Sequence, residues 1–286
     1  EDLADRSIAQ LEEQGTADLV TELALPFPVA VIAELLGLPG EDREQFVAWA
    51  RVIAPRLDIS LFRDDDRNEA GNRGARELTH YFDELLDHPD RLDPDGLLAA
   101  LVSEEEDGDR LSRDELIAMC GLLLLAGFET TTNLVANSIH TLLGQPEALA
   151  AIRDGDVDMS VAVDELLRHD GPVQFAQRVL LEDTEIGGEV LPAKTLAALL
   201  IGAANRDPLV FDRPDELVLD RKPNPHLAFS SGIHHCLGAA LARLEGAVAI
   251  PAILRLLPDL ELAGRPRRRS TFVLRGFTEL PVRWRA

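Results

Sequence analysis

The stretch Phe229 to Gly238 reads Phe-Ser-Ser-Gly-Ile-His-His-Cys-Leu-Gly. It leads from a segment rich in Pro, Asp and Arg into a long helical pattern, Leu237 to Leu257. Cys236 is thereby fixed at a loop–helix junction. The first amides of a helix lack intrahelical partners, and the helix dipole is positive there. A thiolate is well placed in such a setting, where it can ligate a metal or attack an electrophile. Gly232 and Gly238 let the backbone approach a flat, bulky group from both sides. Zinc fits poorly: the chain has 2 cysteines, and His234 and His235 are too cramped to complete a tetrahedron with Cys236. On these residues alone, a cysteine in an ordinary helix cap remains the other reading.

The chain before this stretch is dominated by helical periodicity up to about residue 170. Helices are expected over Asp2 to Glu13, Val29 to Leu36, Glu41 to Arg56, Asp64 to Leu86, Gly96 to Glu106, Ser112 to Leu143 and Met159 to His169. Phe46, Trp49 and Ile53 share one face, as do Leu78, Phe82 and Leu85. The charge run Asp64 to Asp66 reads as a solvated helix start, and Glu104 to Gly108 as an acidic loop. Ser112 and Glu115 have capping-box spacing, and Gly144 with Pro146 stops the longest helix. From Val173 the texture changes. Gln174 to Leu181 and Glu189 to Leu191 read as a hairpin about Gly187-Gly188, Ala198 to Ala204 as a strand or helical turn, and Phe272 to Arg283 as a closing strand pair. Pro251 should kink or break the last helix. The expected fold is mainly α with a small β part in one domain, 1–286: helical over about 1–170, mixed over about 171–286.

Composition narrows the function classes. A net charge of −23 argues against nucleic acid and against an anionic membrane surface. Two distant cysteines suggest a reducing compartment, read as the cytoplasm, with Cys120 in an apolar core run. The longest apolar run, Leu116 to Phe128, is too short to span a bilayer. No secretory signal pattern is read. The chain starts at Glu1 inside a helical pattern and is expected to lack an N-terminal portion.

Two further constellations stand out. In Ala126-Gly127-Phe128-Glu129-Thr130-Thr131, a glycine, an acid and hydroxyls sit inside an apolar helix. Gly costs roughly 1 kcal/mol against Ala there, and a threonine can bond a carbonyl one turn back. The string suggests a local distortion around a polar pocket, or else an exposed acid on a bending helix. In Glu165-Leu166-Leu167-Arg168, acid and base at i, i+3 share a helix face; a surface ion pair is the plain alternative.

Taken together these strings have a family likeness. Phe229-x-x-Gly232-x-His234-x-Cys236-x-Gly238 resembles the cysteine-ligand loop of the cytochrome P450 family, the haem-thiolate monooxygenases. Ser230 and Lys194 stand where many members carry glycine; a local turn change is expected at Lys194. Ala126 to Thr130 resembles the family's oxygen-site motif, and Glu165-x-x-Arg168 its buried structural pair. The family's third partner in that cluster is an arginine; here Glu216 takes its place, leaving Arg221 or Arg213 as substitutes.

The resemblance implies the P450 fold without its N-terminal sheet edge and first helices. It implies haem b with iron bound by Cys236. Phe229, Gly232, Gly238, Ala126 and Gly127 would line the haem, and Arg178, His226 and His234 would hold its propionates. Thr130 and Glu129 would be catalytic, Glu129 relaying protons. Substrate-facing candidates are Leu122, Leu125, Val173, Phe175 and Phe277, within a stretch Leu274 to Phe277; they imply a lipophilic small molecule. The implied reaction inserts one atom of O2, with electrons from NAD(P)H through a ferredoxin reductase and ferredoxin. The donor is expected to dock on the Cys236 side, at Arg243, Arg206, Arg213 and Arg221. A peroxide-driven enzyme and a fragment that binds haem poorly are the two other readings.

Overall fold

A computed structural model of the chain describes residues 2–9, 11–57, 65–103 and 111–285. Among these residues there are ten α-helices: α1 (Asp2–Ala9), α2 (Pro26–Leu36), α3 (Arg43–Ile53), α4 (Asp65–Leu86), α5 (Leu97–Ser103), α6 (Arg113–Leu143), α7 (Pro146–Arg153), α8 (Met159–Asp170), α9 (Ile201–Ala204) and α10 (Ala239–Leu256). The nine short strands among the same residues are β1 (Thr16–Asp18), β2 (Ala176–Val179), β3 (Thr184–Ile186), β4 (Glu189–Leu191), β5 (Leu196–Leu199), β6 (Glu261–Leu262), β7 (Arg267–Arg268), β8 (Phe277–Glu279) and β9 (Pro281–Arg283). Asp64 and the acidic loop Glu104 to Gly108 lie outside the described residues.

The helix α6 is the axis of the fold. It starts where the sequence signals: Ser112 and Glu115 close a reciprocal capping box. Its N-terminal half packs with α2, α3 and α4 through Leu124 and Phe128 against Ile32, Phe46, Leu78 and Phe82. Its C-terminal half joins α1, α10 and the C-terminal strands through Val135, Ile139 and Leu142. By length and composition α6 could cross a membrane. Here it carries a buried polar series, Glu129, Thr131, Thr132, Asn133, Asn137 and Ser138, against neighbouring elements.

Several expectations need correction. Gln174 to Leu181 does not pair with Glu189 to Leu191. Instead β2 pairs antiparallel with β5, enclosing the tight β3–β4 hairpin about Gly187-Gly188. Residues Ala198 to Ala204 divide between β5 and α9. In the C-terminal stretch, β8 pairs with β7, while β9 pairs with β1 and β6. The β1–β9 pairing joins the two ends of the chain (Thr16 opposite Arg283), and a local pattern cannot announce that. Pro251 lies inside α10 without ending it. The α6 segment around Gly127 is α-helical throughout, and Thr130 Oγ1 bonds Ala126 O one turn back, as its sequence allows. Lys194 adopts φ +68°, a conformation that glycine takes most readily, and its amide donates to Leu180 O at 2.7 Å.

Candidate functional site

The Cys236 loop is hung from one buried aromatic. Phe229 packs with Leu134 of α6, Val163 and Leu167 of α8, and Ala239 of α10. The Cys236 amide donates to Phe229 O at 2.9 Å, closing the loop on its anchor, and the His235 amide donates to Gly232 O at 3.0 Å. Gly232 turns at φ +65°, where an L side chain is strained. Ser230 takes φ +60° without being glycine. The helix begins at Ala239 with Gly238 as N-cap, so Cys236 stands two residues ahead of the cap. Every residue from Ser231 to Gly238 is exposed, Cys236 included. Cys120, by contrast, is buried in α6, and burial pushes its thiol up to about 12. The two cysteines are thus sharply different.

Apolar side chains are left uncovered on this loop and on α6. Ile233 is 98% exposed and Leu237 84%. On α6 the i, i+4 stripe Ala118, Leu122 and Ala126 is exposed, and the half-buried Thr130 continues it. Contiguous exposed apolar faces on otherwise packed elements mark a surface that a ligand or a partner covers. Among the described residues no cluster of three His, Cys, Asp or Glu could hold a metal, so a metal here would depend on the lone sulfur and a prosthetic group. The donor set therefore fits a flat, apolar, thiolate-ligated cofactor.

Of the proposed propionate partners, His234 is exposed at the end of a short 3-10 turn. Among the described residues Arg178 pairs with no carboxylate; its Nη1 donates to Gln177 O at 2.7 Å. His226 is a correction. Its Nε2 lies 3.1 Å from Asp164 Oδ1 and its Nδ1 accepts from the Ala228 amide at 3.2 Å, so both ring nitrogens are taken inside the chain. Arg243 also bonds Asp164, at 2.7 Å, and covers the Phe229 ring at 4.4 Å. Burial raises the Asp164 carboxyl, but His226 and Arg243 outweigh it and hold the group below its usual range.

The expected basic docking patch is largely neutralised. Arg206 pairs with Asp215, Arg213 with Asp212 and Glu216, and Arg221 is buried.

Glu165 and Arg168 are both fully buried. The guanidinium uses all five N–H groups: Nε and Nη2 on the Glu165 carboxylate at 2.7 and 2.8 Å, the rest on the carbonyls of Asn205, Pro214 and Glu216. Glu165 also accepts from the Val218 amide at 2.8 Å, from Asn224, and from Arg221 Nε at 3.0 Å. Arg221, not Arg213, is therefore the third partner. The cluster ties α8 to the loop that leads to Phe229.

Thr130 Oγ1 donates to Ala126 O at 2.8 Å on the exposed stripe. Glu129 is buried on another face of α6, where it contacts Arg269 and accepts from Asn133 Nδ2 at 3.2 Å. Burial raises its carboxyl, while Arg269 and Asn133 oppose the rise. Sequence reasoning did not find Arg269, which is 140 residues away. It also missed Glu245 of α10, buried with Thr131 Oγ1 at 3.2 Å as its hydrogen-bond partner; burial pushes this carboxyl up to about 8.

Gly127 lies toward Ile32 of α2, where an added Cβ would make ordinary contact. Among the substrate-facing candidates, Leu122 is exposed, Leu125 and Val173 are half-buried, and Phe175 stacks edge-on with Phe272 at 5.0 Å. Phe277 leaves that set: it is 1% exposed, in the core beside His140 and under Arg268. Leu274 is buried as well, bridged to Val173.

Residues 159–259 match the family model for Cytochrome P450. The chain is 39% identical over 99% of its length to cytochrome P450 107B1 of Saccharopolyspora erythraea, spanning 69% of that protein. It is 41% identical over 98% of its length to vitamin D(3) 25-hydroxylase of Pseudonocardia autotrophica, again spanning 69%. Among solved structures, P450BioI in complex with acyl carrier protein ligated to hexadec-9Z-enoic acid superposes with TM-score 0.92 at 37% identity, covering 99% of this chain and 73% of that one. The chain belongs to the cytochrome P450 family and has its fold. One relative, of Streptomyces venezuelae, is named a cytochrome P450 monooxygenase, and the family implies haem with a cysteine thiolate on the iron.

Proposed function

We propose that the chain works as one catalytic domain of a haem-thiolate monooxygenase acting on a lipophilic small molecule. In this reading haem b is held through Cys236, and electrons arrive from NAD(P)H by way of a ferredoxin and its reductase in the cytoplasm. The observation that carries it is the exposed Cys236 sulfur on a loop exposed from Ser231 to Gly238, in a chain whose other cysteine is buried. When bound, such a haem supplies O2 activation, its thiolate ligand favouring O–O cleavage. The chain's residues supply the rest. Cys236 Sγ binds the iron. Arg178 and His234 offer donors to the propionates. Leu122 and Ala126 present an apolar wall that excludes water. Thr130 Oγ1 donates a hydrogen bond to Ala126 O, which leaves its lone pairs free as acceptors. Glu129 holds the proton-relay position one residue away.

The lipophilic class is supported by the apolar stripe on α6 and by the Phe175–Phe272 pair. Relatives named for vitamin D(3) and crystallised with a fatty acyl group agree with it. A carbon monoxide difference spectrum of the reduced, haem-loaded protein tests the ligand. The thiolate signature is expected in the wild type and in Cys120→Ala and is lost in Cys236→Ala; its survival in Cys236→Ala refutes the assignment. A long-chain fatty acid and a secosteroid should each perturb the haem spectrum on titration. Silence from both refutes the lipophilic class.

A further inference from the structure

Glu129 and Thr130 are neighbours in sequence but not partners in space. On an α-helix adjacent residues point about 100° apart. Thr130 follows the exposed stripe Leu122–Ala126, while Glu129 turns beneath the β7–β8 hairpin. Arg269 is fixed there at several points. Its amide donates to Gly276 O at 3.1 Å, its Nε to Phe277 O at 3.3 Å, and its Nη1 to Glu129 Oε1. From the α6 side, Asn133 Nδ2 donates to both Glu129 O, at 2.8 Å, and Glu129 Oε1.

The hairpin can sit this close because residue 276 is glycine: a Cβ there would lie 1.8 Å from Asn133 Oδ1. The other cations on this face are engaged elsewhere. Arg268 and Arg275 both bind Asp170, and Arg268 also bonds Asn137 Oδ1 at 3.1 Å. Arg269 is thus the cation that meets Glu129.

We infer that Arg269 is the positioning residue for the acid of the oxygen site: anchored to the C-terminal hairpin, it holds the Glu129 carboxylate under that hairpin and away from Thr130. The inference rests on the relay role proposed for Glu129. In this arrangement the solvent-facing side of that acid is the one occupied by the partly exposed Arg269, and not the Thr130 stripe. Burial alone would favour a neutral Glu129, and Arg269 opposes that.

The test is an infrared titration of the holoprotein with isotope-labelled glutamate. The carboxyl band that disappears in Glu129→Gln is taken as the Glu129 signal. In Arg269→Gln its midpoint is expected to move to higher pH, and in Arg269→Lys to stay near the wild-type position. Arg269→Met gives the same reading if Arg269→Gln does not fold. A purely structural arginine would leave the midpoint in place in all three. An unmoved midpoint on loss of the charge overturns the inference, as does Arg269→Lys behaving like Arg269→Gln. The relay role is read separately, from the hydrogen peroxide released per NAD(P)H in Glu129→Gln. That role can fail while the infrared result stands.

Discussion

Glu245 sets a pH dependence that can be worked out from its surroundings. It sits on α10 packed against α6, with 6% of its surface exposed and the Thr131 hydroxyl as its hydrogen-bond partner. Among the described residues no arginine pairs with it, in contrast to Glu129 and Glu165. Burial raises its carboxyl from 4.5 to about 8. Between these two values the folded chain binds a proton that the unfolded chain has released. Stability from this group is therefore fully present below pH 4.5 and is lost as pH rises toward 8. At about 1.4 kcal/mol per pH unit, the full span is at most about 5 kcal/mol. The perturbation is Glu245→Gln, whose amide keeps the shape of the neutral acid and can still accept from Thr131. Urea unfolding of both proteins at several values between pH 5 and pH 8 gives the difference, in which every other titrating group cancels. The variant is expected to match the wild type near pH 5 and to exceed it increasingly up to pH 8. Parallel stability curves, with a constant gap at all pH, would refute the reasoning.

Three other outcomes follow from the geometry. Arg168→Ala removes the bidentate partner of buried Glu165 and the donor to three carbonyls, and should cost about 3–5 kcal/mol in urea unfolding, whereas Arg221→Ala leaves the bidentate partner in place and should cost roughly 1.5–3 kcal/mol; a reversed order rejects the assigned roles. Ser230 and Lys194 occupy left-handed backbone at about 1–2 kcal/mol each, and glycine gives back roughly 0.5–1 kcal/mol in chain entropy. Ser230→Gly and Lys194→Gly should therefore each stabilise by about 0.5–1 kcal/mol, and a lowered Tm in both contradicts this. Of the three consecutive threonines, Thr131 is bound to Glu245 and Thr132 is buried without a polar partner. Thr130→Ala should raise the peroxide released per NAD(P)H in the haem-loaded protein while Thr132→Ala does not, and equal behaviour of the two sinks the role of Thr130.

What the sequence made legible is what is encoded within a few residues. Ser112 and Glu115 cap α6 because a hydroxyl and a carboxylate three apart satisfy each other's amides. Phe229, Gly232 and Cys236 form one closed loop, so their spacing carries the loop's shape. Glu165 and Arg168 lie one turn apart on α8. What stayed hidden is non-local: β1 against β9, β2 against β5 instead of β4, Arg269 on Glu129, and Thr131 on Glu245. Phe277 illustrates the difference. Its apolar character was readable, but whether it lines a pocket or a core depends on how β8 sits against His140 of α6. His226 shows the same for a polar group, since Asp164, its partner, lies 62 residues earlier on α8.

The three buried glutamates among the described residues show how such a chain separates structure from chemistry. It has 51 acidic residues and a net charge of −23, so nearly every acid must stay in water. A buried carboxylate is costly unless matched. Glu165 has its match in full: two arginines, a backbone amide and an asparagine amide leave it no acceptor capacity to trade, which suits a fixed strut. Glu245 has one hydroxyl and is best accommodated neutral. Glu129 falls between them, with one arginine, one asparagine amide and a carboxyl still raised by burial. In Glu129 the hairpin arginine is the largest influence opposing burial, and that opposition is what the relay role proposed for this acid calls for.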